Sequence, residues 1–172
     1  MTARLWSVLL VAVALAVAVV AFVAYGHGSS ASTPAQRLTA WASSTDLGQA
    51  IGTLEGDGSH VVAAVAEHKA AAVRTVCAAM ANDAQTANDN LPSPDATVTT
   101  LLARAYGLEY DAAEACYRAG TADAALLGAS ARDRSRAAAL FGAVQRRLRS
   151  VTGTTVPTTT TTVVGSTSTS FL

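Results

Sequence analysis

The sequence predicts an all-α protein: an N-terminal transmembrane helix, an antiparallel four-helix bundle with one inter-helix disulfide, and a disordered tail. Three observations lead there. Residues 5–25, LWSVLLVAVALAVAVVAFVAY, are almost wholly apolar. Between residues 34 and 150, apolar side chains recur at helical spacing in four stretches, set apart by clusters of Gly, Pro, Asn and Asp. The alternation that marks a half-buried strand does not occur there, and alanine, the strongest helix former, makes up nearly a quarter of the chain.

The first element is the apolar run. At 1.5 Å per residue, about 20 helical residues cross a hydrocarbon core of roughly 30 Å. A cleaved signal peptide has an apolar region of only ~7–15 residues, followed closely by a small-x-small site. Here Ser29-Ser30-Ala31 comes late. Residues 1–25 therefore read as an uncleaved anchor, with a cleaved signal as the alternative. Arg4 and the amino terminus lie on the short side, and no fixed cation follows until Arg37. The positive-inside rule then leaves the N-terminus in the cytoplasm and the remainder outside the cell membrane. Trp6 and Tyr25 stand at the two ends, where amphipathic rings favour the interfaces.

Residues 26–33, GHGSSAST, form a short polar tether. Thr33-Pro34-Ala35-Gln36 supplies an N-cap, a proline at the first helical position and a glutamine three after the cap. The helix this starts carries Leu38, Trp41, Leu47, Ile51 and Leu54, and is expected to stop in EGDG, 55–58. A second helix, about Ser59 to Asn88, presents Val62, Val65, Val73, Val76, Cys77 and Met80, interrupted by Lys69. The breaker NDNLPSPD, 88–95, precedes a third, with Ser93 as cap and Pro94 as first residue. Its face is Val98, Leu101, Leu102, Ala105, Leu108, Ala112 and Cys116. Gly120 ends it, and Thr121 caps a fourth that carries Leu126, Leu127, Ala137, Phe141, Val144 and Leu148 to about Ser150. Residues 34–150 thus make one helical domain. From Val151 to Leu172 the chain is Thr- and Ser-rich, uncharged and without a helical face, which reads as a disordered tail open to O-linked sugar.

Export decides the chemistry of the two cysteines. Cys77 and Cys116 lack the spacing of a zinc or haem site, and two cysteines in an exported domain form a bridge. A catalytic thiol would need His60 or His68 brought close by the fold. The bridge sets a geometric condition: Cys116 lies farther into its helix than Cys77 lies from the end of the preceding one. The connection must therefore overhang rather than turn tightly.

Few other residues point to chemistry. His60, Glu67 and His68, with Glu55 and Asp57 before them, lack the His-x-x-x-His spacing of zinc helices, and EGDG is too short for a calcium loop. They read as solvated residues at a helix start, with no metal. Tyr106, Tyr110 and Tyr117 fall in one stripe of the third helix, as partner contacts or as rings flanking the core. Arg146, Arg147 and Arg149 end the fourth helix, where they offer a cationic patch to anionic lipid headgroups if the bundle returns there toward the bilayer. Twelve basic and twelve acidic residues balance to zero, so no global field attracts nucleic acid. No phosphate loop, nucleophile elbow or paired acids announce catalysis, and no cofactor is implied.

A cysteine in one helix, LPSPD at 91–95 and a helix with Tyr110 and Cys116 together resemble uncharacterised single-pass, membrane-tethered envelope proteins of actinobacterial type, over about residues 35–150. The resemblance implies a helical extracytoplasmic domain and transfers no catalytic residue. The expectation is a non-enzymatic interaction or structural module of the cell envelope, with the lipid bilayer, its anionic headgroups or another envelope protein as partner. The alternative is a secreted helical domain binding a small ligand or metal, and a third reading is an envelope hydrolase with a polar cleft.

Overall fold

A computed structural model describes residues 32–153, which form five α-helices and no strand. The apolar run 5–25, nearly all of the tether and the tail from residue 154 lie outside the described residues. Within them, no helix is long and apolar enough to cross a membrane. The helices are α1 (Pro34–Ser44), α2 (Leu47–Ala66), α3 (Ala70–Asn88), α4 (Ala96–Ala119) and α5 (Ala124–Thr152).

The all-α class is as expected, but five helices stand where four were expected: the segments expected as two helices, from 34 to about 54 and from about 59 to 88, form three, α1, α2 and α3. EGDG does not stop a helix; it lies in the middle of α2. Leu47, Ile51, Leu54, Gly58 and Val61 are all buried at alternating spacings of four and three, so the inward face continues through the motif. Each helical glycine costs about 1 kcal/mol against alanine, and here packing overrides that preference. The real breaks lie at Thr45–Asp46 and Glu67–Lys69. Asp46 and His68 take the left-handed conformation, with φ of 47° and 55°. At the second break, the His68 N–H donates to the Val65 carbonyl and the Lys69 N–H to the Ala64 carbonyl, a Schellman ending with histidine where glycine is usual. Lys69, which interrupts the apolar face in the sequence, marks this break.

The caps differ too. Thr33 forms the expected capping box with Gln36. Asp95, not Ser93, caps α4: its Oδ1 accepts from the Val98 N–H at 2.9 Å. Ser93 is buried instead, donating its N–H to Thr99 Oγ1 at 2.9 Å and bracing the loop. Asp123, not Thr121, caps α5 by accepting from the N–H groups of Ala125 and Leu126. The helix α5 also runs through Val151 and Thr152, the first residues assigned to the tail.

Short connections make α2, α3, α4 and α5 successive antiparallel neighbours, and α1 packs on α5. Cys77 lies eleven residues before the end of α3 and Cys116 twenty after the start of α4. At 1.5 Å per residue these are about 16 and 30 Å, so the N-terminal part of α4 projects beyond α3. Residues 89–95 span the difference. The projecting end is covered from both sides: Trp41 of α1 donates its Nε1–H to the Asn90 carbonyl at 3.2 Å, and Arg147 of α5 reaches Asp95 at 2.8 Å.

The core is divided. The larger cluster includes Leu38, Ile51, Leu54, Met80, Leu102 and Phe141. The smaller one, near the α2–α3 turn, consists of Val61, Ala64, Val73, Cys77 and Cys116, nothing larger than valine. Val62, expected on the inner face, points outward at 64% exposure.

Candidate functional site

The α3–α4 face carries a disulfide and two grooves. Cys77 and Cys116 are fully buried with Cα atoms 5.9 Å apart and form the bridge, leaving no free cysteine among the described residues. The bond fixes the register of α3 on α4. Over it lies a shallow groove lined by Cys77, Ala78, Ala81, Ala113, Glu114 and Tyr117. A second groove continues along the same helix pair between Ala84, Asn88, Ala103, Gly107, Tyr110 and Asp111. Alanine on both helices makes the floors shallow, and one tyrosine rises at each rim. Among the described residues, Tyr110 and Tyr117 are two of the three large apolar side chains that are exposed, at 41% and 49%.

The tyrosine stripe therefore splits. Tyr106 is a core residue, 3% exposed, with its ring 5.8 Å from that of Phe141. Burial pushes its hydroxyl up to about 12. The helical step from 106 to 110 turns the stripe outward, and only Tyr110 and Tyr117 can meet a partner.

The arginine patch splits as well. Arg147 directs Nε and Nη2 to Asp95 Oδ2 at 3.1 and 2.8 Å. That contact, ahead of the cap to Val98, holds the Asp95 carboxyl below its ordinary range. Arg146 and Arg149 are exposed. His60, Glu67 and His68 are exposed, and Glu67 pairs with Lys69 at 2.8 Å. They surround the α2–α3 turn rather than a helix start. Among the described residues no group of three or more His, Cys, Asp and Glu could hold a metal ion.

Sequence reasoning missed a polar layer inside the bundle. Asp57, assigned to a solvated helix start, is half-buried in the middle of α2 and stands within hydrogen-bonding reach of Asp83 on α3. Glu109 of α4 is 4% exposed, and Arg134 of α5 acts electrostatically on both Asp57 and Glu109. The Arg134 guanidinium lies against Gly58, where a Cβ would collide with it. Desolvation, reinforced by Asp83, raises the Asp57 carboxyl to about 6. Desolvation raises Glu109 to about 7, Arg134 opposing and Asp57 adding to it. The available signal was Gly58, since a glycine can mark a close approach as well as a turn. Comparison with family models, curated proteins and solved structures finds no match.

Proposed function

We propose that this chain is a membrane-anchored extracytoplasmic interaction module of the cell envelope, and that the α3–α4 face, with Tyr110 and Tyr117 at its rims, receives another envelope protein. The observation that carries this reading is the position of the disulfide. It joins the two helices that bear the grooves and lies directly beneath one of them, so a thin alanine-lined surface keeps its shape without a large core behind it. A bridge of this kind is retained in an oxidising compartment, in keeping with export by the run 5–25. Rigid aromatic side chains beside small-residue floors suit a partner's protruding side chains at low entropic cost.

The N-terminal helix and the end of α5 meet at the loop 89–95, through Trp41–Asn90 and Arg147–Asp95. Arg146 and Arg149 are exposed beside this junction, and anionic headgroups are a secondary contact for them. Photo-crosslinkers at positions 110 and 117 of the full chain in intact cells test the main reading. The expected result is one discrete adduct, lost when the other tyrosine is changed to Ala. Equal labelling from position 131 on α5, or a reporter after Leu172 found in the cytosol, refutes it.

A further inference from the structure

Four helices each send one charged side chain to the same level of the bundle: Asp57 from α2, Asp83 from α3, Glu109 from α4 and Arg134 from α5. On α2 this level falls between Leu54, in the larger apolar cluster, and Val61, in the smaller. Two of the carboxyls, Asp57 and Glu109, feel the one guanidinium, and Asp83 adjoins Asp57. Glu109 Oε2 and Asp57 Oδ2 are both buried and have no hydrogen-bond partner among the described residues. Fully ionised, the layer would hold two uncompensated negative charges between apolar clusters, where an unpaired carboxylate is strongly disfavoured. Protonation removes that charge and gives each carboxyl a hydrogen to donate, first across the Asp57–Asp83 contact.

We propose that this layer is a proton-binding site that latches α2 to the rest of the bundle: proton uptake joins the two apolar clusters, and proton loss loosens α2. The element is well placed to respond, because α2 leans chiefly on α3 and touches α5 only lightly. The groups facing the two central carboxyls are Glu55 and His60 from α2, Asp83 from α3 and Arg134 from α5. Arg134 and His60 favour the ionised form of Asp57, yet burial and the neighbouring acids outweigh them, leaving Asp57 at about 6 and Glu109 at about 7. Both groups hold protons more tightly folded than unfolded. Stability conferred by the layer is therefore complete near pH 4 and falls as pH rises through 6 and 7. Asp95, held low by Arg147, acts oppositely, and its contribution disappears only as pH falls below about 4.

Hydrogen exchange of the full-length protein in detergent micelles tests the proposal, after correction for intrinsic rates. Amides of residues 50–66 should be protected ~10–100-fold more at pH 5 than at pH 8. Protection in α4 should change less. In the paired Asp57→Asn and Glu109→Gln variant the difference should vanish, with protection high at both pH values. Equal protection of α2 at pH 5 and 8 in the unmodified protein, or a difference that survives in the variant, overturns the proposal. Should the variant not fold, the carboxyl carbon resonance of Glu109 in the unmodified chain decides. A midpoint near 7 supports the latch, and one near 4 overturns it.

Discussion

Replacing Cys77 and Cys116 together by alanine removes the bond between α3 and α4 and gives the most direct measure of how the domain is held. The bridge closes a separation of 39 residues. The chain-entropy relation for a loop of that length gives a loss of about 4 kcal/mol. Deleting two buried sulfurs from a cluster with no side chain larger than valine adds about 1 kcal/mol. A domain of this size has a total stability of roughly 6–18 kcal/mol, so a quarter or more depends on one bond. The thermal midpoint should drop by about 15–20 °C. Urea unfolding of the full chain in micelles, with and without reductant, should show a loss of about 4 kcal/mol for the reduced protein and about 5 kcal/mol for the double variant. A shift worth less than about 1 kcal/mol in both would refute the reasoning, because loop closure could then contribute little. A loss in the variant without one on reduction would assign the effect to packing alone.

Three further substitutions test other features. His68→Gly relieves a left-handed residue at the end of α2 and should stabilise by about 1 kcal/mol in urea unfolding. Asp95→Ala removes the α4 cap and should cost about 1 kcal/mol, with the exposed pair to Arg147 adding little; Asp95→Asn should recover most of it. Gly58→Ala should change sign with pH: the added methyl displaces Arg134 from the polar layer, so a helix-propensity gain of up to about 1 kcal/mol near pH 5 becomes a net loss near pH 8. Unfolding midpoints at both pH values check the reversal.

What could be read from the sequence was local. Helical periodicity fixes α4, α5 and the end of α3 to within a few residues, and Thr33-Pro34 fixes the start of α1, because caps and apolar spacing act over one or two turns; the start of α3, expected near Ser59 and found at Ala70, escaped it. The cysteine pair was also legible, since the expectation of export and the absence of ligand spacing limit the chemistry. Interior placement was not. Gly58 has the same local preference whether it ends a helix or makes room for a crossing arginine, and only the arrival of α5 distinguishes the two. Glu109 is one polar residue in a run that also carries Tyr110 and Asp111. Its burial depends on how far α4 is rotated, which the bridge at Cys116, two turns farther along the same face, sets. Tyr106 was misplaced for the same reason, a rotation too small to change the pattern but large enough to turn one ring inward.

The bridge has a further consequence for the loop 89–95. Asp89, Asn90, Pro92 and Pro94 are exposed, and this is the longest connection between helices of the domain. A protease that cut here would leave both fragments tied through Cys77 and Cys116, with α1 to α3 on one piece and α4 and α5 on the other. The severed molecule would still migrate as one species without reductant, and the α3–α4 face would survive the cut. That is durability built into the position of a single covalent link.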